Sequence, residues 1–419
     1  MNRAAASAII AAGGPTNSKS LACAASAVAL IVWSSATVVR AQVPADIAAG
    51  LQKIGQIVDP ACTAKLYRPL MPANDYNTYW PTGAASPANT KALYPGITIA
   101  RDQQFGPNAK DLVDVFTAEK GGDNRTVLIY VPGGAGNKIE QQAREANAFY
   151  DNIGRWAAKN GMVGVLVQRH PGSGNWDDGG RDLSVAVDWL KANVKQYKGN
   201  PDRLFVWAHS AGNGPLGVYI GHPERWQRGV GVKGAIFMSG NPVPGLGGAP
   251  GGGRGAAPGA PGVPPGGRGG PGGAGIGGPT TCGVPATGTE GGISGPSGVT
   301  PNPNAGRGGP GGGRGPAQPL DAAAQAERDN LPGFKKTNVK IMLVRAELDP
   351  GVSGAMTAAD MALHDELCTV DGAKAADGAG HCPAMLFAKG ESHMSEVFSI
   401  DTADQIVSGP ILAWIKKAK

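Results

Sequence analysis

The chain has 419 residues, 41% of them hydrophobic and 17% charged, with 67 glycines, 34 prolines and five cysteines. That length suits one large domain or two small ones. The net charge of +6 drops to +3 without Arg3, Lys19 and Arg40 near the start, and the rest resides in one glycine-rich segment. A body of zero net charge excludes a general nucleic-acid-binding surface.

Residues 1–41 carry Arg3 and Lys19, an apolar stretch from Leu21 to Val39, and the small-residue site Val39-Arg40-Ala41. This reads as a secretory signal peptide cleaved after Ala41, with a secreted or periplasmic product. A membrane association is expected only if the leader stays uncleaved, since the run approaches the roughly 20 residues of a span. Without the leader, Cys62, Cys282, Cys368 and Cys382 remain, an even number that suggests two disulfides in an exported protein. Cys368–Cys382 closes a short loop and is the first expected pair, with Cys62–Cys282 the second. No C-x-x-C or clustered histidine spacing marks a metal site, and no cofactor is expected.

Residues 42–95 form an N-terminal extension with a helix expected over Asp46–Val58 and turn-rich sequence after it. The first part of the core, 96–243, opens with strands Ile97–Ala100 and Leu112–Phe116, joined by a Gly106-Pro107-Asn108 turn. Val127–Val131 is a buried strand that runs into the glycine-rich turn Pro132–Gly136. A helix at Glu140–Asn160, a strand at Met162–Gln168 and a helix at Asp182–Gln196 follow; in the last, Leu183, Ala186, Val187 and Leu190 recur at helical spacing. Then come Arg203–Trp207, a short helix past Pro215, and the strand Ala235–Met238. Residues 244–320 are Gly-, Pro- and Ala-rich and contain no aromatic residue. Such a segment buries too little apolar surface to offset its chain entropy and reads as a disordered insert. Its RGG-like stretches do not outweigh the missing aromatics as an RNA-binding signal. The second part of the core, 321–419, supplies the strand Val339–Val344, a helix near Ala355–Cys368, the strand Met385–Ala388 and a final helix. Two initial strands followed by strand–helix alternation indicate an α/β class with a mostly parallel sheet flanked by helices.

The chemistry concentrates at Trp207-Ala208-His209-Ser210-Ala211-Gly212, where a strand turns into a helix with a serine at the apex. Small neighbours permit the sharp, strained turn that projects a nucleophilic hydroxyl. An activated serine needs a base, and the base needs an acid to orient it. Among six histidines, only His393 follows a late strand and a turn. Asp349 follows the strand Val339–Val344, with Glu347 as the alternative acid. His209 reads as structural. Trp176, Asp177 and Asp178 read as a solvated loop, with pocket lining as the other possibility.

The residues Tyr130-Val131-Pro132-Gly133-Gly134, the elbow at Ser210, Asp349-Pro350 and Gly390-x-x-His393 resemble the α/β-hydrolase superfamily. Within it, the chain is similar to the secreted carboxylesterases related to hormone-sensitive lipase and to feruloyl esterases. The resemblance covers residues 97–419 apart from the insert. It implies that Ser210, His393 and Asp349 are catalytic and that Gly133, Gly134, Ala135 and Ala211 form the oxyanion hole. Pro132 and Ala208 depart from it, standing where that family usually has His and Gly. The expected partner is a small-molecule ester with a short or polar acyl group, because the insert takes the place of a lid and offers no apolar cover. A peptidase of the prolyl-oligopeptidase type lacks its upstream propeller here. A non-catalytic binding module on the same scaffold is the remaining reading.

Overall fold

The computed structural model describes residues 43–71, 94–134, 150–168, 176–246, 322–372 and 375–418. Eight strands form one sheet: β1 (Ile97–Gln104), β2 (Leu112–Ala118), β3 (Arg125–Val131), β4 (Val163–Val167), β5 (Gly199–His209), β6 (Gly234–Met238), β7 (Lys340–Leu348) and β8 (Ala384–Ser392). Their spatial order is β1-β2-β4-β3-β5-β6-β7-β8. β2 is antiparallel to both β1 and β4, and every later pairing is parallel. The order of apolar runs predicts this mostly parallel α/β sheet, and its strand order is the α/β-hydrolase-like one that the resemblance implies.

The inner strands are apolar without alternation because both sheet faces are covered. Every residue of β3, β4 and β6 is buried. Alternate side chains of β3 enter different cores, Leu128 and Tyr130 on one face and Val127, Ile129 and Val131 on the other. The first core is closed by α1 (Ala45–Ile54), α2 (Pro60–Tyr67), α3 (Asp151–Lys159), α9 (Ser395–Phe398) and α10 (Ser408–Lys417). The second is closed by α4 (Asp178–Asn193), α5 (Asn213–Gly221), α7 (Leu331–Lys336) and α8 (Ala358–Cys368), with the short α6 (Ala322–Glu327) exposed or half-buried. Glycine permits one close approach: a Cβ on Gly164 of β4 would lie 2.7 Å from the Gly154 carbonyl of α3. A buried ion pair fixes the same region, with Arg101 bonded to Asp114 at 2.9 Å and Asp151 at 2.5 Å.

Several boundaries differ from the expected ones. The first helix stops at Ile54, because Gly55 takes φ 78° and reverses the chain. A second helix, α2, occupies part of the expected turn-rich stretch. Pro60 starts it where its missing N–H costs nothing, and the Asp59 side chain accepts from Cys62 N–H at 2.9 Å. Of the helix expected at Glu140–Asn160, residues 140–149 lie outside the described residues, and α3 forms the rest. Helix α4 begins at Asp178, four residues early, and takes in Gly179 and Gly180, which pack against Pro215 and Val218 of α5. Strand β8 runs four residues past Ala388, to Ser392.

The Cys368–Cys382 disulfide is present and joins the end of α8 to the segment entering β8. Cys62 is buried and disulfide-bonded; its expected partner, Cys282, lies outside the described residues. So do residues 1–42 and nearly all of 244–320. Among the described residues, no helix is long and apolar enough to cross a membrane.

Candidate active site

Strand register assembles the site. β7 and β8 pair Leu348 with Ser392, so the next residues, Asp349 and His393, leave the sheet side by side. β3 and β5 pair Val131 with Ala208, which sets the Pro132-Gly133-Gly134 turn beside His209 and Ser210. Asp349, His393, Ser210 and the glycine turn all lie beyond the carboxyl ends of parallel strands, where open α/β sheets bind ligands.

Ser210 occupies the elbow with φ 52°, a conformation costly for a residue with a Cβ. Its Oγ is 2.9 Å from His393 Nε2, and His393 Nδ1 is 2.6 Å from Asp349 Oδ1. Asp349 is buried. Burial alone would raise its carboxyl, but the hydrogen bond from His393 and the charge of Arg345 hold it below the ordinary value. An ionised Asp349 can only accept, so His393 Nδ1 carries the hydrogen and Nε2 offers its lone pair to the Ser210 hydroxyl.

Arg345 anchors the acid. Its guanidinium donates to Asp349 Oδ2 at 2.8 Å, to both Asp360 oxygens at 2.9 and 3.0 Å, and to the Gly240 carbonyl at 2.9 Å. Asp360 also completes the capping box of α8 with Thr357. The His393 turn is fixed by Ser395, whose Oγ accepts from Ser392 N–H at 2.6 Å and donates to Glu391. Glu391 in turn neighbours Asp404, and Tyr67 of α2 donates to Asp404 at 3.0 Å. Burial, then the charge of Asp404, pushes the Glu391 carboxyl well above its ordinary value. The N-terminal extension reaches the acid loop too: Gln56 donates to the Val352 carbonyl at 2.6 Å.

The structure brings Ser210, His393, Asp349, Gly133 and Ala211 together. Gly133 lies so close that a Cβ there would be 2.7 Å from Ser210 Cβ. Gly134 takes φ 58° on the exposed side of the turn, and Ala135 lies outside the described residues. The alternative acid, Glu347, instead accepts from Gly390 N–H at 2.8 Å, while His393 Nδ1 is partnered by Asp349. The solvated-loop reading of Trp176 to Asp178 is corrected: Trp176 packs edge-on to His222 with ring centroids 4.9 Å apart, beneath the Arg225 guanidinium. Asp177 is buried and paired with Arg181 and Arg225, and Asp178 opens α4.

Sequence reading missed Arg345 and Glu396. An arginine four residues before the acid, on the same strand end, was the available signal for the first. Two clusters among the described residues gather several metal-ligand types, His364 with Cys368 and Cys382, and His209 with His393 and Glu396. Both sulfurs of the first are joined in the disulfide, and both ring nitrogens of His393 are engaged in the second.

Residues 113–225, from β2 to just past α5, match the BD-FAE family, a group of esterase-type hydrolases. A stretch of 62 residues is 34% identical to secreted lipase 5 of Gibberella zeae. It covers 15% of this chain and 11% of that protein, so the match spans about a ninth of the relative's length. Among solved structures, the chain is similar to a truncated carbohydrate esterase from gut microbiota, with TM-score 0.45, 11% identity, and coverage of 80% of this chain and 99% of that one. It is also similar to carboxyl esterase 2 of the mycorrhizal fungus Tuber melanosporum, with TM-score 0.45, 13% identity, and coverage of 81% and 90%.

Proposed function

We propose that the chain is an exported serine hydrolase that cleaves carboxylic esters through an acyl-enzyme. The observation that carries this reading is the unbroken chain of contacts from Asp349 through His393 to Ser210, at 2.6 and 2.9 Å. As Ser210 Oγ attacks the ester carbonyl carbon, His393 Nε2 takes its proton. The tetrahedral intermediate collapses, the C–O bond to the alcohol breaks, and His393 returns the proton to the departing oxygen. Water then attacks the acyl group by the same route in reverse. Asp349 keeps the imidazole in the tautomer this cycle needs. The oxyanion is assigned to N–H groups of Ala211 and the Gly133–Ala135 turn, each such donor contributing about 3–4 kcal/mol to lowering a barrier of this kind.

The substrate is a small ester with a short or polar acyl group, a reading supported by the composition of residues 244–320, which offers no apolar cover. The leader at 1–41 supports export. The test uses p-nitrophenyl acetate, butyrate and palmitate with the purified protein. Turnover of the two short esters is expected, with kcat falling on the order of 10⁶-fold in Ser210→Ala. Turnover unaffected by Ser210→Ala would remove the nucleophile, and preferential cleavage of palmitate would remove the short-chain assignment.

A further inference from the structure

His209 is 1% exposed, in a position where an apolar side chain would meet the same packing demand. Instead its Nε2 lies 2.9 Å from the main-chain carbonyl oxygen of His393 and 3.2 Å from Glu396 Oε1. A carbonyl oxygen only accepts, so Nε2 carries the hydrogen and donates it. Burial pushes the imidazole down to about 4, leaving it neutral with that single N–H. The two histidine rings lie 4.7 Å apart between centroids, tilted by 45°. On its other side, Nδ1 faces the oxyanion turn: a Cβ on Gly133 would be 3.2 Å away. His209 therefore joins three parts of the site that come from different strands: the elbow that carries it, the glycine turn after β3, and the histidine turn after β8.

Glu396, on α9, is fully buried behind this contact. Burial, then the charge of Asp349, raises its carboxyl well above the ordinary value. The titratable and charged groups facing the pair are His393, Asp349 and Arg345, with Glu391 of β8 and Tyr130 of β3 beside Glu396.

We propose that His209 is a positioning residue for the ester hydrolysis, holding the carbonyl of His393 from behind with Glu396 as its buttress. This rests on the serine-hydrolase reading above. The need for it follows from the proton cycle. Each time His393 takes the serine proton its ring becomes cationic, and attraction to Asp349 draws it away from Ser210. A donor fixed to the backbone of His393 resists that displacement without occupying either ring nitrogen. Displacements of about 1 Å at a reacting group cost on the order of a hundredfold in rate.

The experiment compares the full-length wild type with His209→Ala, His209→Leu and His209→Gln. Glutamine places an amide N–H near the position of imidazole Nε2; leucine fills the volume with no donor. Expected for Ala and Leu is a fall in kcat of about 10- to 100-fold with KM within about twofold, and recovery of most of the loss in Gln. A second readout needs no turnover: the downfield proton resonance of His393 Nδ1–H, shifted in Ala and Leu and restored in Gln. Ala or Leu variants with wild-type kcat and an unmoved resonance overturn the proposal. So does a folded Gln variant no better than Leu. Should Ala and Leu fail to fold, the Gln variant decides alone, a wild-type resonance supporting the tether and a shifted one refuting it. Failure of the underlying reading is recognised separately, by turnover that survives Ser210→Ala.

Discussion

Asp349 has two carboxylate oxygens and two partners, one oxygen facing His393 and the other Arg345. A carboxylate shared in this way cannot rotate without breaking a charge-assisted bond, so it holds the imidazole in plane as well as in tautomer. Asp349→Asn keeps the shape but presents an amide that can donate to Nδ1, favouring the wrong tautomer. The expected outcome is a fall in kcat of about 10⁴-fold with folding intact, read from steady-state kinetics beside thermal unfolding. A loss below tenfold would point to a different acid. The strain at Ser210 belongs to the same scale: the elbow is visible in sequence only as small residues around a serine, while the φ of 52° shows that the turn is sharp enough to need them.

At the scale of elements, the site depends on strand register and on one buried cation. Arg345 leaves β7 and reaches Asp360 in the first turn of α8, so the start of that helix and the acid loop share one guanidinium. Burial would strip its proton, but the two carboxylates hold it charged, Asp360 foremost. Arg345→Met leaves both carboxylates buried without their cation and is expected to cost about 3–5 kcal/mol of stability, measured by chemical denaturation. Arg345→Met with Asp360→Leu removes one stranded charge and should recover part of that cost; no recovery would mean the two residues act independently. The sequence made the apolar runs of β3, β4, β5, β6 and β7 plain, and with them the sheet. It did not reveal where polar ends would continue a strand or a helix. β8 continues past Lys389 and Gly390, where the register slips and Gly390 takes φ 80°, because pairing with β7 resumes at Ser392 opposite Leu348. α4 begins before Asp182 because Gly179 and Gly180 pay their entropic cost against close packing on α5. Ser210, Asp349 and His393 were legible because each follows an apolar strand. Arg345, Glu396 and Tyr67 were not, since their roles depend on contacts between segments far apart in the chain.

Over the whole molecule, the acids behind the site make stability depend on pH. Glu391 is protonated in the native state well above its ordinary value of 4.5, because burial and the charge of Asp404 oppose its ionisation. The unfolded chain releases that proton once the pH passes about 4.5. The native state therefore binds more protons between there and its raised value, and stability contributed by this group falls as the pH rises through that window. Glu391→Gln mimics the neutral acid. It is expected to raise the melting temperature relative to wild type at pH 8, with the advantage shrinking toward pH 4.5. An advantage independent of pH would place the proton elsewhere.

The contacts of Gln56 with the Val352 carbonyl and of Tyr67 with Asp404 carry a practical consequence for handling the protein. Among the described residues, the polypeptide ahead of the sheet is a clamp on the two segments that present Asp349 and His393, through Gln56 on the acid loop and through Tyr67, which also donates to Glu391 at 3.4 Å. A shortened version starting at β1 would keep every strand and all three contacting side chains of the site. It would also expose the Glu391–Asp404 pair to water and free the acid loop on one side. Affinity tags, fusion partners and domain boundaries therefore belong ahead of Val43, and a preparation trimmed further would be a poor guide to the enzyme's rate.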